Sequence, residues 1–167
     1  MTIGRSVGAF ALSYALAVAA SLPRSGGSRQ LCDVTNDALV YTATLDSLVR
    51  SGKVIILTDS DYHLSSIACS DALHEVHTRL PVRVVAHDSL GSAHESGVSG
   101  FWAQFHTKFP DADGLYALSQ IRYSDSSHAA LNYSHHCGGR CGDGGIVVLI
   151  RRGTSWTVTK ITIEWMS

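Results

Sequence analysis

The chain has 167 residues, of which 45% are hydrophobic and 16% are charged, and its formal net charge is −1. This composition predicts one compact domain with an apolar core and excludes a disordered or fibrous chain. The arginines are spread along the sequence and form no basic stripe, so nucleic acid is not an expected partner.

The first twenty residues have the pattern of a secretory signal peptide. One positive charge, Arg5, precedes an uncharged run over residues 7–20 that ends in Ala-Val-Ala-Ala. Because this run is shorter than the ~20 apolar residues of a membrane-spanning helix, we expect cleavage near its end and no stable membrane span afterwards. An ordinary buried helix or an uncleaved anchor is the alternative. The prediction is therefore a signal peptide over residues 1–20 and a periplasmic or secreted mature protein.

A polar, turn-rich linker over residues 21–30 leads into a single domain over residues 31–167. An apolar spacing of three and four residues predicts a first helix from Thr35 or Asn36 to about Val49. The run 53–58 is short, β-branched and continuously apolar, which is typical of a strand covered on both faces. The first half of the domain is thus expected to begin with a helix and a buried strand.

The middle of the domain predicts a helix over residues 64–80, ended by Pro81, and a short strand over residues 82–86. Residues 87–100 are rich in serine and glycine and predict a loop, or a weak helix at best. The aromatic spacing over residues 101–109 predicts another helix.

The last third predicts four strands, over residues 115–123, 128–137, 146–152 and 157–165. Their short connections suit antiparallel neighbours, so a meander is the simplest topology. The fold class is therefore α+β, with N-terminal helices and one or two short strands packed on a C-terminal four-stranded antiparallel meander. Positive φ angles in a tight hairpin loop are expected at Gly138, Gly139, Gly142, Gly144 and Gly145.

The four cysteines follow the expected cleavage point, and an even number predicts two disulfides in an oxidising compartment. Cys137 and Cys141 are separated by Gly-Gly-Arg, which is flexible enough to bring their Cα atoms within the ~4.4–6.8 Å that a bridge requires. Cys32 and Cys69 then pair by elimination.

Residues 100–167 contain an ordered series of short motifs. The sequence C-G-G-x-C-G-x-G-G stands at residues 137–145, G-x-x-W at 153–156 and W-x-S at 165–167. They are accompanied by Gly100-Phe101-Trp102, Phe109-Pro110, Leu118-Ser119 and Ala130-Leu131-Asn132-Tyr133. Together these motifs resemble a group of small exported bacterial proteins of unknown function. The resemblance implies export and a central hairpin. It identifies no catalytic residues, because no activity is assigned to that group.

The hairpin region also contains the side chains that are best suited to bind a ligand or to take part in a reaction. Two imidazoles and two thiols within residues 135–141 are possible zinc ligands, but structural zinc sites usually have a second, distant ligand pair. Strand alternation puts His135 and His136 on opposite faces, so at most one of them joins Cys137 readily. We therefore expect a disulfide-closed hairpin with no metal and no cofactor.

A thiol enzyme needs a thiolate close to a base, whereas two neighbouring thiols in an oxidising compartment form a bridge. The sequence therefore predicts no catalytic residues, and a non-catalytic, extracytoplasmic binding or accessory module whose protein or small-molecule partner is unknown. The candidate ligand-binding residues are His135, His136, Arg140 and Asp143. The alternative function is a metal-dependent or thiol enzyme that uses the His-His-Cys-x3-Cys loop.

Overall fold

The computed structural model describes residues 32–49, 54–58, 64, 68–76, 80–90 and 93–167. The chain divides into two units, Met1–Gln30 and Leu31–Ser167. The predicted signal peptide and linker lie in the first unit, outside the described residues. Within the described ranges, no helix is long and apolar enough to cross a membrane.

The second unit alternates helices and strands in its first half and is almost entirely β in its second half. In chain order its elements are α1 (Val34–Leu48), β1 (Val54–Thr58), α2 (Ser70–Val76), β2 (Val82–Val85), a 3-10 turn (His87–Leu90), α3 (Ala93–Lys108), β3 (Ala112–Leu118), β4 (Arg122–Tyr123), β5 (His128–Gly138), β6 (Cys141–Arg152) and β7 (Ser155–Met166).

The described strands form one mixed seven-stranded sheet in the order β2-β1-β3-β5-β6-β7, with β4 paired to β5. Strands β3, β5, β6 and β7 are antiparallel neighbours, which matches the predicted meander in part. The strand predicted over residues 115–123 is divided into β3 and β4, and both pair with β5. Strand β1 runs parallel to both β2 and β3. The protein is therefore α+β. The short strands β1 and β2 were expected to pack on the meander, but they instead extend its sheet at the β3 edge.

Helix boundaries differ from the predicted ones for local reasons. Helix α1 begins after Asp33, whose carboxylate accepts a hydrogen bond from the Asn36 amide, so the cap precedes Thr35. Among the described residues of the predicted segment 64–80, helix α2 occupies Ser70–Val76, and residues 64, 68, 69 and 80 are not helical. Residues 87–100, expected to be a loop or a weak helix at best, contain the 3-10 turn and the start of α3, and Gly97, with φ of 68°, marks a kink in that helix.

Two apolar cores lie on opposite faces of the sheet. In the first core, α1 and α2 cover one face of the sheet, and in the second core α3 covers the other. Ile55 and Leu57 of β1 belong to the first core and Ile56 belongs to the second. Strand β1 is thus buried on both faces, which confirms the prediction from its continuous apolar run.

A polar network anchors α1 to the sheet beside the first core. The indole Nε1 of Trp156 donates to Asn36 Oδ1 at 3.0 Å, and Asn36 Nδ2 donates to the Tyr123 hydroxyl at 3.0 Å. That hydroxyl donates to Asp37 Oδ1 at 2.6 Å. Burial raises the pKa of Asp37 above its ordinary value, while the bond from Tyr123 acts in the opposite direction.

The turn between β5 and β6 is shorter than predicted. Gly138 pairs with Cys141, so only Gly139 and Arg140 connect the two strands. Strand β6 begins at Cys141 and not at residue 146, and Gly142, Gly144 and Gly145 therefore lie inside it. The expected positive φ angles are also wrong, because none of the five glycines has one.

The glycines in β6 instead allow neighbouring groups to approach closely. A Cβ atom on Gly145 would collide with the backbone carbonyl oxygen of Thr162, and one on Gly144 would collide with the ring of Trp165. Both contacts belong to β7, so these glycines determine how closely β7 can pack against β6.

We predict that Gly145→Ala lowers the free energy of unfolding by about 1–3 kcal/mol, because the added methyl group must displace the backbone of β7. Urea denaturation followed by circular dichroism measures the change. Gly138→Ala is the matched control, since its Cβ would lie at an ordinary 3.5 Å from the Cys141 Cβ. That variant should stay within about 0.5 kcal/mol of the wild type, and equal losses in the two variants would contradict the packing role of Gly145.

Candidate functional site

The structure contains the two disulfides expected from the sequence. Cys32 is bonded to Cys69 with a Cα–Cα distance of 6.0 Å, and Cys137 is bonded to Cys141 with a Cα–Cα distance of 5.0 Å. The Asp37 carboxylate and the sulfurs of Cys32 and Cys69 lie within 4.8 Å of one another. Because each sulfur is bonded to another sulfur, none of the four is available as a thiolate ligand or nucleophile in this structure.

His135 and His136 lie on opposite faces of β5, as strand alternation predicts. His135 pairs with Tyr116, a residue of the first core, whereas His136 pairs with Leu115, a residue of the second core. The ring of His136 stacks on Trp165 with centroids 5.3 Å apart. The two imidazoles therefore cannot act on one ligand from the same side of the sheet.

The face that carries His135 holds a cluster of polar side chains from three strands. We call Asp113, Tyr116, Tyr133, His135 and Asp143 the His135 cluster. In it, His135 Nδ1 lies 3.2 Å from Asp143 Oδ1, and the Tyr133 hydroxyl donates to Asp143 Oδ2 at 2.6 Å. The imidazole ring stacks on the Tyr116 ring with centroids 4.2 Å apart and an interplanar angle of 16°. The Tyr116 hydroxyl donates to Asp113 Oδ2 at 3.3 Å.

Strand register produces this cluster. The pairing of β5 with β6 sets His135 opposite Asp143, and the pairing of β3 with β5 sets it opposite Tyr116. Gly114 leaves space for the imidazole, because a Cβ there would lie 2.6 Å from His135 Nε2. That nitrogen lies 3.4 Å from the Asp113 carbonyl oxygen. Both ring nitrogens of His135 therefore face oxygen atoms of the protein itself.

The tyrosines of the cluster are held in their neutral form. Burial raises the pKa of Tyr133 above its ordinary value of 10, and the neighbouring Asp143 carboxylate raises it further. Burial also raises the pKa of Tyr116, with Asp113 adding to the effect. Since both phenols remain protonated at neutral pH, they act as hydrogen-bond donors and not as bases.

Strand β7 continues the same face as an exposed apolar surface. Ile161, Ile163 and Met166 pair with Val147, Gly145 and Asp143 of β6, and they are 38%, 54% and 76% exposed. They are three of the four exposed large hydrophobic residues in the part of the chain that the structure describes. We call these three residues the β7 apolar strip. The strip borders the His135 cluster, whose His135 and Asp143 side chains are 14% and 32% exposed.

The structure brings together two of the four candidate ligand-binding residues, His135 and Asp143. His136 lies on the other face, and Arg140 lies exposed in the turn without a hydrogen bond or ion pair to the cluster. Sequence reasoning missed Tyr133, although its position two residues before His135 indicates the same face. It also missed Tyr116 and Asp113, which no local pattern could identify, because the register of β3 against β5 is set by tertiary packing.

A groove of about 460 Å³ lies between α1 and the start of β7. Its walls include Leu39, Ala43, Leu80, Trp156 and Val158. The groove contains none of the candidate ligand-binding residues, and we assign it no function.

No protein-family model matches the chain, and no curated protein or solved structure matches it significantly.

The pKa shifts predict a pH dependence that can be measured. Because folding raises the pKa of Tyr133, the neutral phenol contributes stability that is complete below its ordinary value of 10 and is lost as the pH rises through the folded value. Asp143→Asn removes the neighbouring carboxylate, so we expect Tyr133 to ionise at a lower pH in this variant than in the wild type. Ultraviolet absorbance of tyrosinate during an alkaline titration measures the shift.

Asp125→Asn is the control for this titration. Asp125 is an exposed carboxylate that contacts His128 in the turn before β5, away from both tyrosines of the cluster. An identical tyrosine titration in Asp143→Asn and the wild type would show that the Asp143 carboxylate does not influence Tyr133.

Proposed function

We propose that the protein is exported to the periplasm or the medium and that its mature form is a non-catalytic binding or accessory module. The signal-like pattern over residues 1–20 and the resemblance to small exported bacterial proteins support export. Two disulfides in a chain of this size support the same compartment, because disulfides persist mainly in oxidising environments.

The binding surface in this proposal is the face formed by the His135 cluster and the β7 apolar strip. The observation that carries it is the concentration of exposed large hydrophobic residues on one strand, directly beside a partly exposed polar cluster. Exposed apolar patches with polar surroundings are typical of interaction sites. A protein partner fits this strand-borne surface better than a small molecule, which would require a concave pocket.

The contacts within the cluster support a binding role over a catalytic one. His135 is engaged by Asp143 and by the Asp113 carbonyl oxygen, and the cluster's tyrosines hold their protons. The alternative, a metal-dependent or thiol enzyme, would require the bridge between Cys137 and Cys141 to open. It would also have to use two histidines that lie on opposite faces of β5. No observation favours that alternative.

We expect the protein purified from an oxidising compartment to have no free thiol and no stoichiometric metal. A thiol-reactive dye under denaturing conditions and elemental analysis measure these quantities. The same sample after reduction is the control and should show all four thiols. One metal ion per chain, or free thiols together with a turnover that Cys137→Ser abolishes, would instead establish the enzyme.

We expect the immobilised protein to retain a partner from an extract of the extracytoplasmic fraction. Met166→Lys places a charge on the β7 apolar strip and should reduce retention roughly tenfold or more, as substitutions at central contact residues do. Arg152→Glu is the control, because Arg152 is exposed at the opposite end of the β6–β7 pair. Equal retention by the wild type and both variants would place the binding surface elsewhere.

A further inference from the structure

Strand β7 ends the described sheet, so within the described residues one of its edges has no strand partner. The strand is 12 residues long, and residues 159–164 are all exposed. Its sequence is rich in threonine, valine and isoleucine, which favour extended structure. A long, exposed edge of this kind is a template for pairing with another strand.

The exposed part of β7 is complementary to itself. Residues 160–164 read Lys-Ile-Thr-Ile-Glu. If two copies pair antiparallel about Thr162, Ile161 of each copy comes opposite Ile163 of the other, and Lys160 comes opposite Glu164. Cross-strand pairs of β-branched residues and of opposite charges both stabilise antiparallel sheets. Each cross-strand pair next to Thr162 is thus favourable in this register.

We propose that the protein forms a two-fold symmetric dimer in which the β7 edges of two copies pair antiparallel, centred on Thr162. This contact is isologous, since the same residues contribute from both sides. It joins the two sheets into one continuous sheet and closes both β7 edges. The inference goes beyond the proposed binding function and does not depend on it.

In the single copy, the side chains of residues 160–164 are exposed to solvent. In the part of the chain that the structure describes, neither Lys160 nor Glu164 forms an ion pair. Ile161 and Ile163 are exposed large hydrophobic residues of β7. Dimerisation would supply each charge with an opposite charge and would place the isoleucines of the two copies side by side. The charge complementarity therefore identifies a second copy as the occupant of this edge.

Irregularities in β7 limit the length of the contact. The pairing of β6 with β7 shifts register between Val148 and Leu149 and again between Gly144 and Gly145. Between these shifts, residues 160–163 pair in register with residues 145–148 of β6, and Glu164 is the extra residue at the second shift, where the regular part of the contact ends. A contact of this length is smaller than the ~1,600 Å² of standard stable interfaces, so we expect a concentration-dependent equilibrium between monomer and dimer.

Charge exchange tests the register. Lys160→Glu places a carboxylate opposite Glu164 of the second copy, and Glu164→Lys places an ammonium group opposite Lys160. Each variant alone should weaken the dimer by roughly tenfold or more, because two favourable pairs become two repulsive ones. An equimolar mixture of the two variants should associate like the wild type, since opposite charges then face each other at both positions.

Sedimentation equilibrium over a range of concentrations measures each dissociation constant, and circular dichroism verifies that every variant is folded. Arg152→Glu changes the net charge as Lys160→Glu does but lies outside the contact, and it should dimerise like the wild type. A wild type that stays monomeric at all concentrations would overturn the proposal. A dimer that neither charge variant weakens, or two variants that fail to associate when mixed, would also overturn it.

Discussion

The register of β5 against β6 is the constraint on which the rest of the structure depends. A shift of one residue would move every side chain of one strand to the opposite face of the sheet. In the observed register Leu131 lies opposite Val147, inside the first core, and His135 lies opposite Asp143. The short turn and the bridge between Cys137 and Cys141 join the two strands at the turn end of this hairpin. Core packing and the polar cluster thus have the same physical origin.

Burial changes along β7 in a way that separates the folded core from the exposed face. Trp156 is buried against α1, where its indole joins the network of Asn36, and Val158 is half-buried. Farther along the strand, Ile161 and Ile163 are exposed, although Val147, which lies opposite Ile161 on β6, belongs to the first core. Apolar side chains that no helix covers remain in contact with water, and this exposure costs free energy in the isolated chain. Contact with another surface removes that cost, which is why the two proposals concern this strand.

The thiols and the imidazole of His135, which could bind a metal or take part in catalysis, make contacts inside the protein instead. The four sulfurs are paired with one another, and the imidazole of His135 bridges two strands through Asp143 and the Asp113 carbonyl oxygen. Contacts of this kind between strands hold the strands in place and contribute specificity to the fold. In the described part of the chain, the features without such contacts are instead the exposed β7 apolar strip and the charges of Lys160 and Glu164, which form no ion pair. These features are the basis of the proposed binding surface and of the proposed dimer.

Local patterns in the sequence determined the antiparallel order of the last strands, the burial of β1 on both faces, the opposite orientation of His135 and His136, and the pair of Cys137 with Cys141. These properties follow from side-chain periodicity and from short separations along the chain, so tertiary structure is not needed to predict them. The pair of Cys32 with Cys69, 37 residues apart, followed only by elimination. Only the tertiary structure decided that β1 joins β3 in the same sheet, that Tyr116 stacks on His135, and that the glycines of β6 lie in a strand. The first two depend on the register between segments that do not follow one another directly along the chain, and register is selected by packing across the whole sheet. The glycines of β6 lie in a strand because their backbone pairs with β5 on one side and with β7 on the other.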